Sequence, residues 1–565
     1  MHPLILVGIG VAIVLIGVLV FRLHAFLALL LAAFTVALLT PFSQLQQATM
    51  PAARGTIENI AEDGKSFELA QTPEGQAWRI GSKGVLIRAV DTEGRLSRWL
   101  GFGSASSNVW RHAADVEVTS YEPAARFGLR IRGRSVIRVK PTDSVLTSAQ
   151  WEAVEKASAQ LAGERVARAF GDTCASIGIL IALAAIIGRA LLDSGAADRI
   201  VRGGLAVVGE RGAPAAFVGS GFLLGIPVFF DTVFYLMIPL GKALARRTTR
   251  NYLLYVMTIV AGATMAHSLV PPTPGPLFVA EQLKVDLGKM VLAGCGVGIV
   301  TCSVGYLYAA LINRRWRVPL RDSIAEGGNS AKAEEEVPLS ELPPLWLAVL
   351  PILLPVVLIG GQTLLSPLAK SWSPTARFAL ETLGEKNTAL GIAAAIALVM
   401  LVRKKGVSFK SLAPAISGAL ESGGVILLIT AAGGAFGKSL QGTGITAIIS
   451  EVSSNSHLLT ITLAFFITTA VRTAQGSATV AMITAVGLLA GFVPQLGCDP
   501  VYLALAIGCG SKPLAWMNDS GFWVICKMSG MTEGEALRYI TPLTLIMGLA
   551  GLGVTLFAAW LVPNF

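Results

Sequence analysis

Long apolar stretches separated by short polar ones set the pattern of this chain. Residues 4–20, 25–40, 177–190, 291–312, 345–361 and 542–562 each carry one charge or none. A helix needs roughly 20 apolar residues to span hydrocarbon, and fewer when it is packed among other helices. The pattern predicts membrane crossings near 4–20, 24–40, 170–192, 252–280 and 288–312 in the first half. In the second half it predicts them near 343–367, 388–402, 420–441, 501–526 and 540–562. Two more apolar stretches are interrupted. One, 213–240, breaks at Gly225-Ile226-Pro227; the other, 459–491, breaks around Gln475-Gly476-Ser477. Such breaks predict re-entrant helical hairpins, whose tips must be buried in protein or line a water-filled cavity.

The halves align at an offset of about 249 residues: Gly188-Arg189 falls on Gly437-Lys438, Ser194-Gly195 on Thr443-Gly444, and Pro227 on Gly476. The segment 267–272 falls on 516–521, and Gly288 meets Gly534 at an offset of 246. An ordered series across four elements points to an internal repeat. Five crossings per half is an odd number, so the second half enters the bilayer from the opposite side. The expected fold is an all-α polytopic membrane protein of two inverted repeats, with re-entrant hairpins and interrupted helices, the plan of many secondary transporters.

One element breaks the symmetry. The loop after the second predicted crossing is more than a hundred residues longer than its counterpart. It is punctuated by Asp63-Gly64, Glu74-Gly75 and Glu93-Gly94, with alternating runs such as Val85-Leu86-Ile87-Arg88 between them. This reads as a small β-rich soluble insert, followed by a helix opening at Thr147-x-x-Gln150. The expected division is 1–43, two crossings; 44–169, insert and connecting helix; 170–315, remainder of the first repeat; 316–342, linker; and 343–565, second repeat.

Composition and charge fit this reading. Of 565 residues, 53% are hydrophobic and only 14% charged, against about 25% charged in a typical soluble chain. The formal charge is +10, but the basic residues sit in short loops, which sets membrane orientation and argues against a nucleic-acid partner. Arg246, Arg247, Arg314, Arg315, Arg317, Arg403, Lys404 and Lys405, among others, fall on one side, which is expected to be cytoplasmic. Both termini and the insert are then extracytoplasmic, in a multi-pass inner-membrane protein. The insert carries 17 basic and 14 acidic residues, so nothing marks it as a polyanion binder; Arg130, Arg132, Arg134 and Arg138 read as a solvated strand face. The six cysteines lack metal-ligand spacing and read as small core residues. The first apolar run has no basic residues before it, unlike a cleavable signal.

Ionisable residues inside apolar spans are costly, and function is the default reading. Here they are Asp231, His267, Arg472, Lys512 and Asp519. Each also has a structural reading: a paired Asp231, a hydrogen-bonded core His267, an Arg472 at the membrane surface or bracing its hairpin, Lys512 balancing Asp519, or Asp519 capping a half-helix. The segment 266–276 holds four prolines in six residues and cannot continue as helix. Free amides at such breaks suit an anion. Gly225, Pro227, His267, Pro271, Pro272, Arg472, Gly476, Ser477, Thr479 and Asn518 are the candidate substrate-binding residues. Asp231, His267 and Asp519 are the candidates for proton coupling. No metal site, cofactor or nucleophile–base constellation is expected, so the chain does not read as an enzyme.

At these motifs the chain resembles the gluconate permease family of gluconate:proton symporters. The resemblance rests on 225–240 (GIPVFFDTVFYLMIPL), 267–276 (HSLVPPTPGP), 433–444 (GGAFGKSLQGTG), 472–485 (RTAQGSATVAMITA) and 518–523 (NDSGFW). It implies a homodimeric transporter in which hairpins move against a scaffold, carrying sugar acids or small hydroxy acids (D-serine in some members), usually driven by protons. Asp231 stands where the family typically has Glu, Thr273 replaces a histidine, Ala515-Trp516 replace a serine–histidine pair, and Lys512-Pro513 are additions. The expected function is proton-coupled symport of a small organic anion. The alternatives are sodium coupling at the same breaks, or a transporter-derived receptor that senses through the insert.

Overall fold

The computed structural model describes residues 2–50, 55–61, 63, 65–71, 83–91, 108–122, 126–131, 139–140, 143–248, 251–321, 338–404, 409–444, 457–490, 493 and 496–565. Glu74-Gly75, Glu93-Gly94, Arg132, Arg134 and Arg138 lie outside the described residues, as does most of the expected linker. The chain divides into two units. One comprises Met1–Val11, Ala32–Ala167 and Lys438–Ile449; the other comprises Ala12–Leu31, Arg168–Gly437 and Ser450–Phe565.

The smaller unit contains six strands: β1 (Gly55–Ile60), β2 (Ser66–Gln71), β3 (Lys83–Asp91), β4 (Asn108–Glu122), β5 (Arg126–Ile131) and β6 (Ser144–Thr147). They close into an antiparallel barrel in the order β1-β2-β5-β4-β3-β6. Side chains alternate across a strand. Leu86 joins Phe67, Leu69, Val116, Leu129 and Val145 in the inner core. Its neighbours Val85 and Ile87 face the other way, and with Leu146 they pack against Trp151 and Val154. Those two residues belong to the helix Ser148–Ala159, opened by the capping box of Thr147 and Gln150. Gln46, on the helix Phe42–Thr49, binds both backbone groups of Trp110 on β4, at 2.8 and 2.7 Å.

Helices dominate the rest. By length and composition, eight described helices suffice to cross a membrane, or nine if the pair Ala25–Leu39 and Phe42–Thr49, bent by 102°, is one span. The expected third crossing is longer than its apolar run suggests, occupying Ala162–Asp193.

The helices that frame the site are numbered here α1 to α10 in chain order. The first hairpin is α1 (Ala213–Leu224) and α2 (Phe230–Thr248). Next come α3 (Tyr252–Leu269), α4 (Pro274–Gln282) and the long α5 (Leu287–Arg315). The second hairpin is α6 (His457–Gln475) and α7 (Ala478–Leu489). Then follow α8 (Val501–Gly510), α9 (Ser520–Ser529) and α10 (Glu533–Leu561).

Each break has a local cause. Pro227 has no N–H for the ladder after α1. Gly476 takes φ +81° and ends α6, a conformation that costs other residues about 1–2 kcal/mol; Ser477 then caps α7 through Val480 N at 3.4 Å. Prolines 271 and 272 end α3, and Pro274 opens α4 at a position where its missing N–H is harmless. Asp519 caps α9 by accepting from Gly521 N at 2.9 Å.

Association within a membrane depends on close backbone approach. At Gly262 on α3, a Cβ would run into the Val218 carbonyl of α1. At Gly305 on α5, it would come within 2.7 Å of Met547 Sδ on α10. The same Cβ at Gly305 would lie 3.1 Å from Ala261 Cβ on α3, so α3, α5 and α10 pack closely together.

Candidate substrate cavity

Three helix interruptions and the end of α3 line one partly open polar cavity of about 220 Å³. From the first hairpin come Phe229, Phe230 and Asp231, and from α3 come Thr264 and His267. The second hairpin gives Arg472, Ser477 and Thr479, and the break between α8 and α9 gives Ser511, Lys512 and Asp519. Ser520 at the start of α9 and Thr544 on α10 complete the polar lining.

Arg472 is the brace of this arrangement. It is buried at the end of α6. Its Nε donates to the Ser511 carbonyl at 3.0 Å, one terminal nitrogen to the Gly476 carbonyl, and the other to Asp519 Oδ2. One guanidinium thus ties the tip of the second hairpin to both sides of the α8–α9 break. The second oxygen of Asp519 caps α9. Asp519 therefore pairs with Arg472 rather than with Lys512, the alternative reading of that lysine: the fixed fork of Arg matches a carboxylate and two carbonyls at once.

Lys512 is buried, and no described residue accepts a hydrogen bond from its ammonium. Asp231 sits in the first turn of α2, half-buried, facing the same space. The His267 ring meets Phe229 edge-on, with centroids 5.7 Å apart at 71°. Its buried Nδ1 has no hydrogen-bond partner among the described residues.

The structure thus brings together Asp231, His267, Arg472, Ser477, Thr479 and Asp519, along with Lys512. Other candidates lie elsewhere. Pro227, Pro271 and Pro272 line a separate apolar cleft with Ile187, Pro351 and Pro355. Gly225 packs against α3, where a Cβ would lie 2.8 Å from the Ala263 carbonyl. Gly476 and Asn518 shape the tip without lining the cavity: Asn518 Nδ2 donates to the carbonyls of Thr473 and Ala474 at 2.7 and 3.0 Å.

Sequence reasoning passed over Thr264, Ser511, Thr544, Phe229 and Phe230. Thr264 is one helical turn before His267, a spacing that shares a face and was available as a signal. Thr544 carried none, because nothing in the sequence aligns α10 with the breaks.

Interrupted apolar helices around a charged cavity define a multi-pass membrane permease. A family model described as GntP family permease matches residues 145–562. The chain belongs to the GntP permease family. The matched range begins within β6, so the five preceding strands lie outside it. The low-affinity gluconate transporter of Escherichia coli K12 is 31% identical over 69% of this chain and 86% of its own length. The gluconate permease of Pseudomonas aeruginosa is 31% identical over 68% and 84%. The Gnt-II system L-idonate transporter of E. coli K12 is 28% identical over 72% and 91%. The crystal structure of the Alcanivorax borkumensis YdaH transporter shares the fold, with a TM-score of 0.52 and 13% identity over 74% of this chain and 90% of that one. Neisseria gonorrhoeae MtrF is equally similar in fold, at 0.52 and 14% identity over 76% and 90%.

Proposed function

We propose that the chain is a proton-coupled symporter of a small organic anion, such as gluconate or a related sugar acid or hydroxy acid. The supporting observation is the charge balance of the cavity. Arg472 and Asp519 cancel as a pair. Lys512 and Asp231 then face the same space with opposite charges. A proton on Asp231 leaves one positive charge, which a monoanion neutralises. The loaded site is neutral, and a neutral site is cheaper to carry through a low-dielectric barrier than a charged one. The names of the gluconate and L-idonate relatives support the substrate class.

Element positions support two inverted repeats. The helices α3 and α8 begin at 252 and 501, an offset of 249, while α5 and α10 are offset by 246 at both ends. Basic residues close α2 and α5, which supports a cytoplasmic side at those ends, with the termini and the barrel extracytoplasmic. The assembly we propose is a homodimer, testable by cross-linking in the bilayer.

Uptake into proteoliposomes tests the coupling. An inward proton gradient without sodium is expected to drive gluconate accumulation. Uptake that needs sodium and ignores the proton gradient rules out proton symport.

A further inference from the structure

Two cations line the cavity, and they are not equivalent. All three guanidinium nitrogens of Arg472 are engaged by Ser511, Gly476 and Asp519. Three of its five N–H donors are thus committed to the hairpin tip and the α8–α9 break, and its position is fixed by them. Lys512 differs. Its backbone is held in the break, with N donating to Cys509 O at 3.1 Å and the following Pro513 packed on Gly548, where a Cβ would lie 2.8 Å from the ring. The residue is 6% exposed, lines the cavity, and its ammonium meets no acceptor among the described residues. A lysine carries three donors, and a buried charge that stays unpaired is costly.

The hydroxyls around it have the opposite polarity. Thr264 donates its proton to Val260 O at 2.7 Å, Ser511 to Gly508 O at 2.7 Å and Thr544 to Thr541 O at 3.0 Å. A hydroxyl has one proton, so the oxygen of Thr264 presents its lone pairs to the cavity; Thr544 keeps one beside the bond it accepts from Ala515 N at 3.4 Å, and Ser511 is further engaged with Ser268 at 3.2 Å. Lone pairs repel a carboxylate and accept from alcohols.

We infer that Lys512 Nζ anchors the substrate carboxylate, with the hydroxyl-bearing carbons turned toward Thr264 and Thr544, and that Arg472 is a positioning residue. The inference rests on the symport reading above and deepens it. It also sets a selectivity. A second carboxylate faces Asp231, Asp519 and the lone pairs of Thr264, so monocarboxylates are preferred over dicarboxylates of the same length.

Calorimetry on the purified full chain tests this with gluconate, the neutral polyol sorbitol and the dicarboxylate glucarate. Wild-type protein is expected to bind gluconate well above either analogue. Lys512→Gln is expected to weaken gluconate by about 30-fold, the scale of one lost charged hydrogen bond, and to leave sorbitol unchanged. A folded Lys512→Gln whose gluconate affinity stays within about threefold of wild type overturns the anchor and leaves the symport reading standing. Wild-type protein that binds no carboxylate overturns the symport reading, and the anchor with it. A second measurement needs no variant: reductive methylation of wild-type protein, read by peptide mass spectrometry. Saturating gluconate is expected to protect Lys512 while sorbitol does not; equal labelling of Lys512 with and without gluconate overturns the anchor.

Discussion

Arg472 and Asp519 form a largely buried ion pair that fastens the end of α6 to the N-cap of α9, 47 residues further along the chain. The pair is a structural joint as much as a charge in the cavity. Arg472→Gln leaves the carboxylate without its cation and two carbonyls without donors. Breaking a buried pair on one side costs about 3–5 kcal/mol, so the variant is expected to lose much of its thermal stability in detergent. Arg472→Lys keeps the charge but cannot span three acceptors. It is expected to melt close to Arg472→Gln, and a melting temperature equal to wild type contradicts the joint.

The left-handed turn at Gly476 sets the height of the second hairpin tip. A methyl group there enters the space of the Asn518 backbone carbonyl, in addition to the strain at φ +81°. Gly476→Ala is therefore expected to displace Ser477 and Thr479 from the cavity wall. Misplacement by about an ångström can cost about 100-fold in a positioned site. Initial uptake rates in proteoliposomes should fall at least about tenfold while the protein remains folded. An unchanged rate separates the tip from substrate contact.

Asp231 is the cavity carboxylate that no described ion pair engages. Asp231→Asn fixes the group in a neutral state, as if permanently protonated. Accumulation driven by an inward proton gradient is expected to disappear, whereas exchange of labelled for unlabelled gluconate across equal pools is expected to continue. Retained proton-driven accumulation in Asp231→Asn places the coupling group elsewhere, with His267 the next residue to test.

Much of the cavity was legible in the sequence because a break in an apolar run is a strong local signal. Pro227, Gly476 and the prolines at 271 and 272 mark the interruptions, and the charged residues beside them had few other reasons to be there. What the sequence could not show was direction. Whether Pro271 borders the polar cavity or the apolar cleft depends on which side of the break packs against α5, a tertiary fact. Pairing was hidden for the same reason. Lys512 and Asp519 are near in sequence, yet Asp519 turns to Arg472, whose fork reaches the carboxylate and two carbonyls together. The barrel was readable as alternating runs, but its closure depends on β6, a four-residue strand joining β1 to β3.

Inside the barrel unit, Arg88 on β3 forks onto Asp143, with Nε and Nη2 at 2.8 Å from the two carboxylate oxygens. The backbone N–H of Lys140 adds a third bond at 2.9 Å. The side chain of Asp143 is fully buried, and that of Arg88 keeps a quarter of its exposure. Hydrogen bonding and the charge of Asp143, opposed by burial, hold the guanidinium above its ordinary range; it stays charged at any physiological pH. Arg88→Met leaves a buried carboxylate without a cation, at a cost of about 3 kcal/mol. Hydrogen exchange should then accelerate across β3 and β6, the strands on either side of the pair. Adding Asp143→Leu removes the stranded charge and is expected to recover much of the protection, because replacing both partners by apolar groups is often neutral. The cavity draws none of its residues from this unit, so gluconate uptake by Arg88→Met is expected to match wild type. A large loss of uptake in a protein whose helices keep their exchange protection would assign the barrel a part in transport.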